Sequence, residues 1–87
     1  MTVRNKIAAN DRVIQMGNQL KELRKFERMT VEELSEKLDV SPRMIYNYEN
    51  GNNILSIEMI VRIYEINVFK ERSLEELVEI FIIQIYK

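Results

Sequence analysis

The sequence contains no cysteine and no histidine, and only two glycines and one proline among 87 residues. Without cysteine there is neither a disulfide scaffold nor a thiolate zinc site. Without histidine, Ser-His and Cys-His catalysis are excluded, along with the commonest transition-metal ligand. So little glycine and proline, beside 46% apolar and 31% charged residues, excludes a disordered tail, a collagen-like chain and a low-complexity linker. Long hydrophobic runs are also lacking. The most apolar stretch, near the C-terminus, is broken by Glu75, Glu76, Glu79 and Gln84, so no membrane span is expected. Met1-Thr2-Val3-Arg4 lacks the apolar segment of a secretion signal, which makes the cytoplasm the expected compartment. The formal net charge is −1, so bulk charge does not mark a nucleic-acid binder.

What remains reads as one all-α domain over residues 1–87, with five helices separated by short polar breaks. A first helix is expected from Asn10 or Asp11, as N-cap, to about Glu27. Its apolar positions are Val13, Ile14, Leu20, Leu23 and Phe26. Residues 1–9 form an N-terminal extension, either an extra helical turn or a mobile arm. Thr30-Val31-Glu32-Glu33 fits a capping box and opens a second helix, with Leu34 and Leu38 on one face. Ser41-Pro42 opens a third, since Ser caps well and Pro at the first helical position loses no hydrogen bond. That helix ends at Asn50-Gly51, where Gly accepts the left-handed conformation. Ser56 opens a fourth helix. Ser73-Leu74-Glu75-Glu76 is a second capping box and opens a fifth. Phe26, Met59 and Tyr64 are expected in the core.

The most informative stretch is residues 30–50. Two short helices meet at the tight turn Leu38-Asp39-Val40-Ser41. Ser35 is small enough for close helix approach, and Val40 and Ile45 can fill the angle between the helices. Asp39 occupies a position suited to positive φ, which Asp tolerates better than most residues. This is a helix-turn-helix pattern.

The joint register of Gly17-Asn18-Gln19-Leu20-Lys21-Glu22-Leu23-Arg24, Met29-Thr30-Val31-Glu32-Glu33-Leu34-Ser35 and Val40-Ser41-Pro42-Arg43-Met44-Ile45-Tyr46-Asn47-Tyr48-Glu49-Asn50-Gly51 resembles the lambda-repressor/Cro-type (XRE) family. The likeness runs over roughly residues 17–68. Three positions depart from the family pattern: Asp39 replaces the usual turn Gly, Val31 the frequent Gln, and Leu55 the usual Pro.

An α-helix fits the DNA major groove and presents its N-terminal half to base edges. With Ile45 and Tyr48 facing inward, Pro42, Arg43, Met44, Tyr46 and Asn47 face out. Arg43 has the donors for guanine O6 and N7, and Asn47 matches adenine N6 and N7. Met44 and Tyr46 suit a thymine methyl or the groove wall. The resemblance implies phosphate contacts around Thr30, Val31, Ser41, Asn50, Asn52 and Asn53; for the Asn cluster, turn chemistry explains the residues equally well. The resemblance also implies that Arg24 and Glu49 form a structural ion pair. Residues 1–28 carry a charge of +4 and the remainder −5, so one end is basic and the other acidic.

The fifth helix, residues 73–86, carries the stripe Leu74, Leu77, Val78, Phe81, Ile82 and Ile85 and is almost apolar all round toward its end. A second copy is the expected cover, giving a homodimer. The reading is therefore a sequence-specific regulator, a repressor above all, that binds double-stranded DNA as a homodimer on a palindromic operator. The alternative is an interaction module, such as an antitoxin or anti-repressor, that uses the apolar C-terminal helix. No enzyme activity, metal, cofactor, small-molecule ligand or membrane partner is expected.

Overall fold

The computed structural model describes the backbone of residues 2–86 and the side chains of residues 11–86. Its elements are α1 (Thr2–Phe26), α2 (Val31–Leu38), α3 (Pro42–Glu49), α4 (Ile57–Glu65), α5 (Leu74–Val78), a π-helical turn (Glu79–Ile83) and α6 (Gln84–Tyr86). The last three form one continuous C-terminal run, which is the expected fifth helix. No strand occurs among the described residues.

Four helix starts are built as the sequence implies. Thr30, Ser41, Ser56 and Ser73 all adopt extended backbone and cap with their hydroxyl oxygens. At α2 the Glu33 amide donates to Thr30 Oγ1 at 3.0 Å, and the Thr30 amide donates to Glu33 Oε1 at 2.8 Å. These bonds, first the one from the Thr30 backbone, hold the Glu33 carboxyl below the usual glutamate pKa. A lowered folded-state pKa stabilises the fold above the unfolded value, and the gain disappears as pH falls through the folded value. Glu33→Gln is therefore expected to flatten the fall in Tm between about pH 5 and pH 3. Thermal melts of both proteins across that range check it.

The start of α1 differs from expectation. The helix is continuous from Thr2, so Asn10 and Asp11 lie inside it and residues 2–9 extend it. Asp11 accepts from Gln15 Nε2 at 2.9 Å, one turn on, instead of capping. Asn and Asp cap only where the chain enters from extended backbone, which the sequence does not reveal.

With so few glycines, left-handed positions fall to other residues: Arg28 (φ 58°), Asp39 (φ 56°), Asn67 (φ 51°) and Glu71 (φ 64°). Asp39 meets the requirement of the α2–α3 turn. Glu71 has neither the short side chain nor the local bonding that eases this conformation. Glu71→Gly is expected to stabilise the protein by about 0.5–1 kcal/mol in a denaturant titration.

The core is assembled around α1. Met16, Leu20 and Leu23 of α1 meet Leu34 and Leu38 of α2, Ile45 of α3, Ile60 and Ile63 of α4, and Phe69, Leu77, Phe81 and Ile85. Met16 also accepts, through its sulfur, the buried Leu55 amide at 3.3 Å. Two expected core residues are not there: Phe26 is 73% exposed and Tyr64 43%. Successive three-residue steps in a helix each rotate by about −60°, so Leu20, Leu23 and Phe26 walk off the core face. Met59 packs against the core but is only partly buried.

The C-terminal stripe is corrected as well. Leu77, Phe81 and Ile85 are buried in the chain's own core and offer no surface to a second copy. Leu74, Val78 and Ile82 are half-buried, and Ile83 and Tyr86 are exposed. The π-helical turn explains the selection. Residues four apart drift by about 40° per step in an α-helix; a wider turn cancels much of that drift, so Phe81 and Ile85 stay toward α1 while α5, with Leu77, packs against α4. Arg12 of α1 stacks over the Tyr86 ring, 4.9 Å from its centroid.

Candidate nucleic-acid interface

Helix α3 is fixed from its inner side. Ile45 is fully buried, Tyr48 and Glu49 are nearly so, and burial pushes the Tyr48 phenol pKa up. Glu49 takes two bonds from one guanidinium: Arg24 Nε donates to Oε2 at 2.7 Å and Nη2 to Oε1 at 3.0 Å. Arg24 Nη1 also donates to the Met29 carbonyl at 2.9 Å, so one side chain of α1 holds both the end of α3 and the entry to α2. The hydrogen bonds to Glu49 push the Arg24 pKa above its already high ordinary value, against the opposing effect of burial.

Both glycines serve the same crossing. A Cβ on Gly17 would run into the Tyr48 carbonyl oxygen and lie 2.9 Å from that of Glu49. Gly51 has φ 77°, and a Cβ there would meet Ile14 Cγ1 at 2.8 Å. The C-terminal end of α3 thus touches α1 backbone to backbone. From the other side, Arg62 of α4 donates to the Leu38 carbonyl at 3.2 Å and caps the end of α2 beside the turn.

The opposite face of α3 is open. Pro42, Arg43 and Tyr46 are exposed, and Asn47 is half-exposed. Arg43 and Asn47 stand four residues apart, on one side of the helix. Met44 is less available than its neighbours: it packs partly against the core, and its sulfur accepts Asn53 Nδ2 at 3.6 Å. The following loop folds back on α3, with the Asn52 and Asn53 amides donating to the Asn47 carbonyl at 2.8 and 3.2 Å. Asn50, Asn52 and Asn53 are exposed there. Turn chemistry therefore accounts for part of this cluster.

At the start of α2 the Val31 side chain is buried, so only its backbone amide can meet a phosphate. Thr30 and Glu33 already satisfy each other, and the Glu33 carboxylate occupies part of the positive helix end. The amides of Val31 and Glu32, which have no acceptor within the helix, are the donors left for a phosphate. Ser41 caps α3 by accepting the Met44 amide at 3.2 Å and keeps its own proton for donation.

Sequence reasoning located α3, its inward and outward faces and the Arg24–Glu49 pair. It missed the backbone crossing at Gly17, the Met16–Leu55 bond and the Arg62 cap. The rarity of glycine was the available signal for the first of these.

A short helix held at its far end, with its N-terminal half open to solvent beside a capped partner helix, defines a DNA-binding helix-turn-helix protein. The profile of a helix-turn-helix domain family matches residues 17–67, more than half of the chain, and the chain belongs to that XRE-type, Cro- and repressor-like family. Neither curated proteins nor solved structures give a significant match. No helix among the described residues is long and apolar enough to cross a membrane.

Proposed function

We propose that this chain is a transcriptional repressor that binds a palindromic operator as a homodimer. Arg43 reads guanine and Asn47 adenine in the major groove, with Pro42, Tyr46 and the rim of Met44 against the groove wall. Phosphates are met by the amides of Val31 and Glu32, by the Thr30 and Ser41 hydroxyls, and by Asn50, Asn52 and Asn53. The observation that carries this reading is the division of α3: Ile45, Tyr48 and Glu49 are buried while Pro42, Arg43 and Tyr46 stand in solvent. The second copy packs on the C-terminal run through Leu74, Val78 and Ile82, with Ile83 and Tyr86 at the margin. That arrangement gives two reading helices for half-sites about 34 Å apart.

Selection of bound duplexes from a randomised pool, at near-physiological salt, tests the proposal. A dyad-symmetric motif supports both base reading and the two-fold dimer. No enrichment, from folded protein, overturns the DNA reading and leaves an interaction module that holds a partner on the C-terminal run. On the selected site Arg43→Ala is expected to lose about 1–3 kcal/mol and to relax preference at one base pair. Equal loss on every sequence would reduce Arg43 to a phosphate contact.

A further inference from the structure

Cysteine is absent, so the oxidisable sulfur of this chain is all thioether, carried by five methionines. The described side chains include Met16, Met29, Met44 and Met59, and they differ in what surrounds the sulfur. Met16 is 2% exposed, and its sulfur accepts the Leu55 amide inside the core. Met29, in the α1–α2 loop, and Met59, on α4, are half-buried against the core. Met44 is the third residue of α3. Part of its side chain packs on the core, but its sulfur meets Asn53 Nδ2 at 3.6 Å in a solvent-exposed contact.

That contact ties α3 to the loop that follows it. The Asn53 backbone amide donates to the Asn47 carbonyl at 3.2 Å, beside the Asn52 amide at 2.8 Å. Asn53 is thus held twice, by its backbone to Asn47 and by its side chain to Met44. A thioether is a weak acceptor, so the side-chain hold is slight. A sulfoxide oxygen is a strong acceptor and stands a bond length away from the sulfur. Once it is present, the Asn53 amide either follows the oxygen or loses its partner.

We propose that Met44 is an oxidation site: conversion of its thioether to the sulfoxide by hydrogen peroxide re-seats the Asn52–Asn53 loop and weakens the hold on the operator. The sulfur attacks one peroxide oxygen with a lone pair, and the S–O bond forms as the O–O bond breaks. The proton of the attacked oxygen passes to the departing hydroxide, which leaves as water. Sulfur gives up two electrons and the peroxide takes them, so the reaction needs no other reactant. The product places a polar group on the apolar rim between α3 and its loop, and draws Asn53 Nδ2 away from a phosphate. The effect on DNA rests on the reading of α3 given above; the chemistry at the sulfur and the movement of the loop do not.

The full chain, treated with graded hydrogen peroxide, is followed in three ways. Peptide mass mapping is expected to find Met44 oxidised well before Met16, whose sulfur stays sealed until the fold opens. The side-chain amide resonances of Asn53 are expected to shift as Met44 is converted, in protein that still melts cooperatively. Affinity for the selected operator is expected to fall about tenfold, the size of one lost specific contact. Met44→Leu has its own starting affinity, but peroxide is expected to change neither that affinity nor its Asn53 resonances. Met29→Leu and Met59→Leu are expected to respond to peroxide as the wild type does. A Met44 oxidised no faster than Met16, an Asn53 amide that ignores the conversion, or a Met44→Leu chain as sensitive as wild type would each overturn the proposal. If the untreated chain binds no duplex, it is the DNA reading that falls, and the mapping and the resonances decide the oxidation site by themselves.

Discussion

Gly17→Ala is expected to lower the stability of the protein by about 3 kcal/mol, although alanine is the best helix former and Gly17 lies within α1. On helix propensity alone the substitution should be favourable by about 1 kcal/mol. The added methyl, however, has no space: it collides with the Tyr48 carbonyl and presses on that of Glu49. Those atoms are backbone, so no rotamer change relieves the clash and α3 must move away from α1. That movement pulls on the Arg24–Glu49 bonds and on the packing of Gly51 against Ile14. For a domain of this size the loss corresponds to a fall in Tm of roughly 12–24 °C. A native protein holds only about 0.05–0.15 kcal/mol of stability per residue, so much of the margin is consumed. A Tm at or above the wild-type value would show that the crossing is looser than described.

Breaking the Arg24–Glu49 pair from either side is expected to cost about 3–5 kcal/mol. The side chains are 11% and 4% exposed, so a survivor is left charged and largely dry. Arg24→Met also strips the Met29 carbonyl of its donor. The double variant Arg24→Met, Glu49→Met is expected to be more stable than either single one, because it buries no unmatched charge. Denaturant titrations of the four proteins give the coupling energy directly. Additive losses would mean that the two residues act separately and that the bidentate geometry is incidental. In the single variants the operator affinity is expected to fall further than the folded fraction accounts for, since α3 loses the brace at its far end.

Much of this was legible in the sequence because the signals are local. A cap needs one residue type at one position, and Thr30 with Glu33, Ser41 with Pro42, Ser56, and Ser73 with Glu76 all behave as read. The left-handed Asp39 follows from turn chemistry. The inward side of α3 follows from the three-residue spacing of Ile45 and Tyr48. Reading was less successful where an answer depends on what lies opposite. Periodicity names the apolar side of the C-terminal run, but whether Leu77, Phe81 and Ile85 meet the chain's own core or another molecule is decided by the tertiary fold. The π-helical turn is equally invisible, since nothing in Glu79 to Ile83 distinguishes it from ordinary helix. Phe26 fits a three-residue spacing and lies outside the core because such steps drift. The Arg62 cap and the Met16 sulfur bond join residues 24 and 39 positions apart, and no pattern in one sequence announces them.

The division of labour within α3 bears on how such a protein can change its target. The residues that aim the helix are Ile45, Tyr48 and Glu49, held by Gly17, Gly51 and Arg24 on other parts of the chain. The residues that face outward are Pro42, Arg43, Tyr46 and Asn47. The two sets do not overlap, and the crossing that sets the angle is made of backbone, which no exchange of outward side chains alters. On the proposed reading, new base preferences are written onto the outer face one residue at a time without re-aiming the helix. Altered targets should accumulate at positions 43, 46 and 47 while the glycines and the ion pair stay fixed.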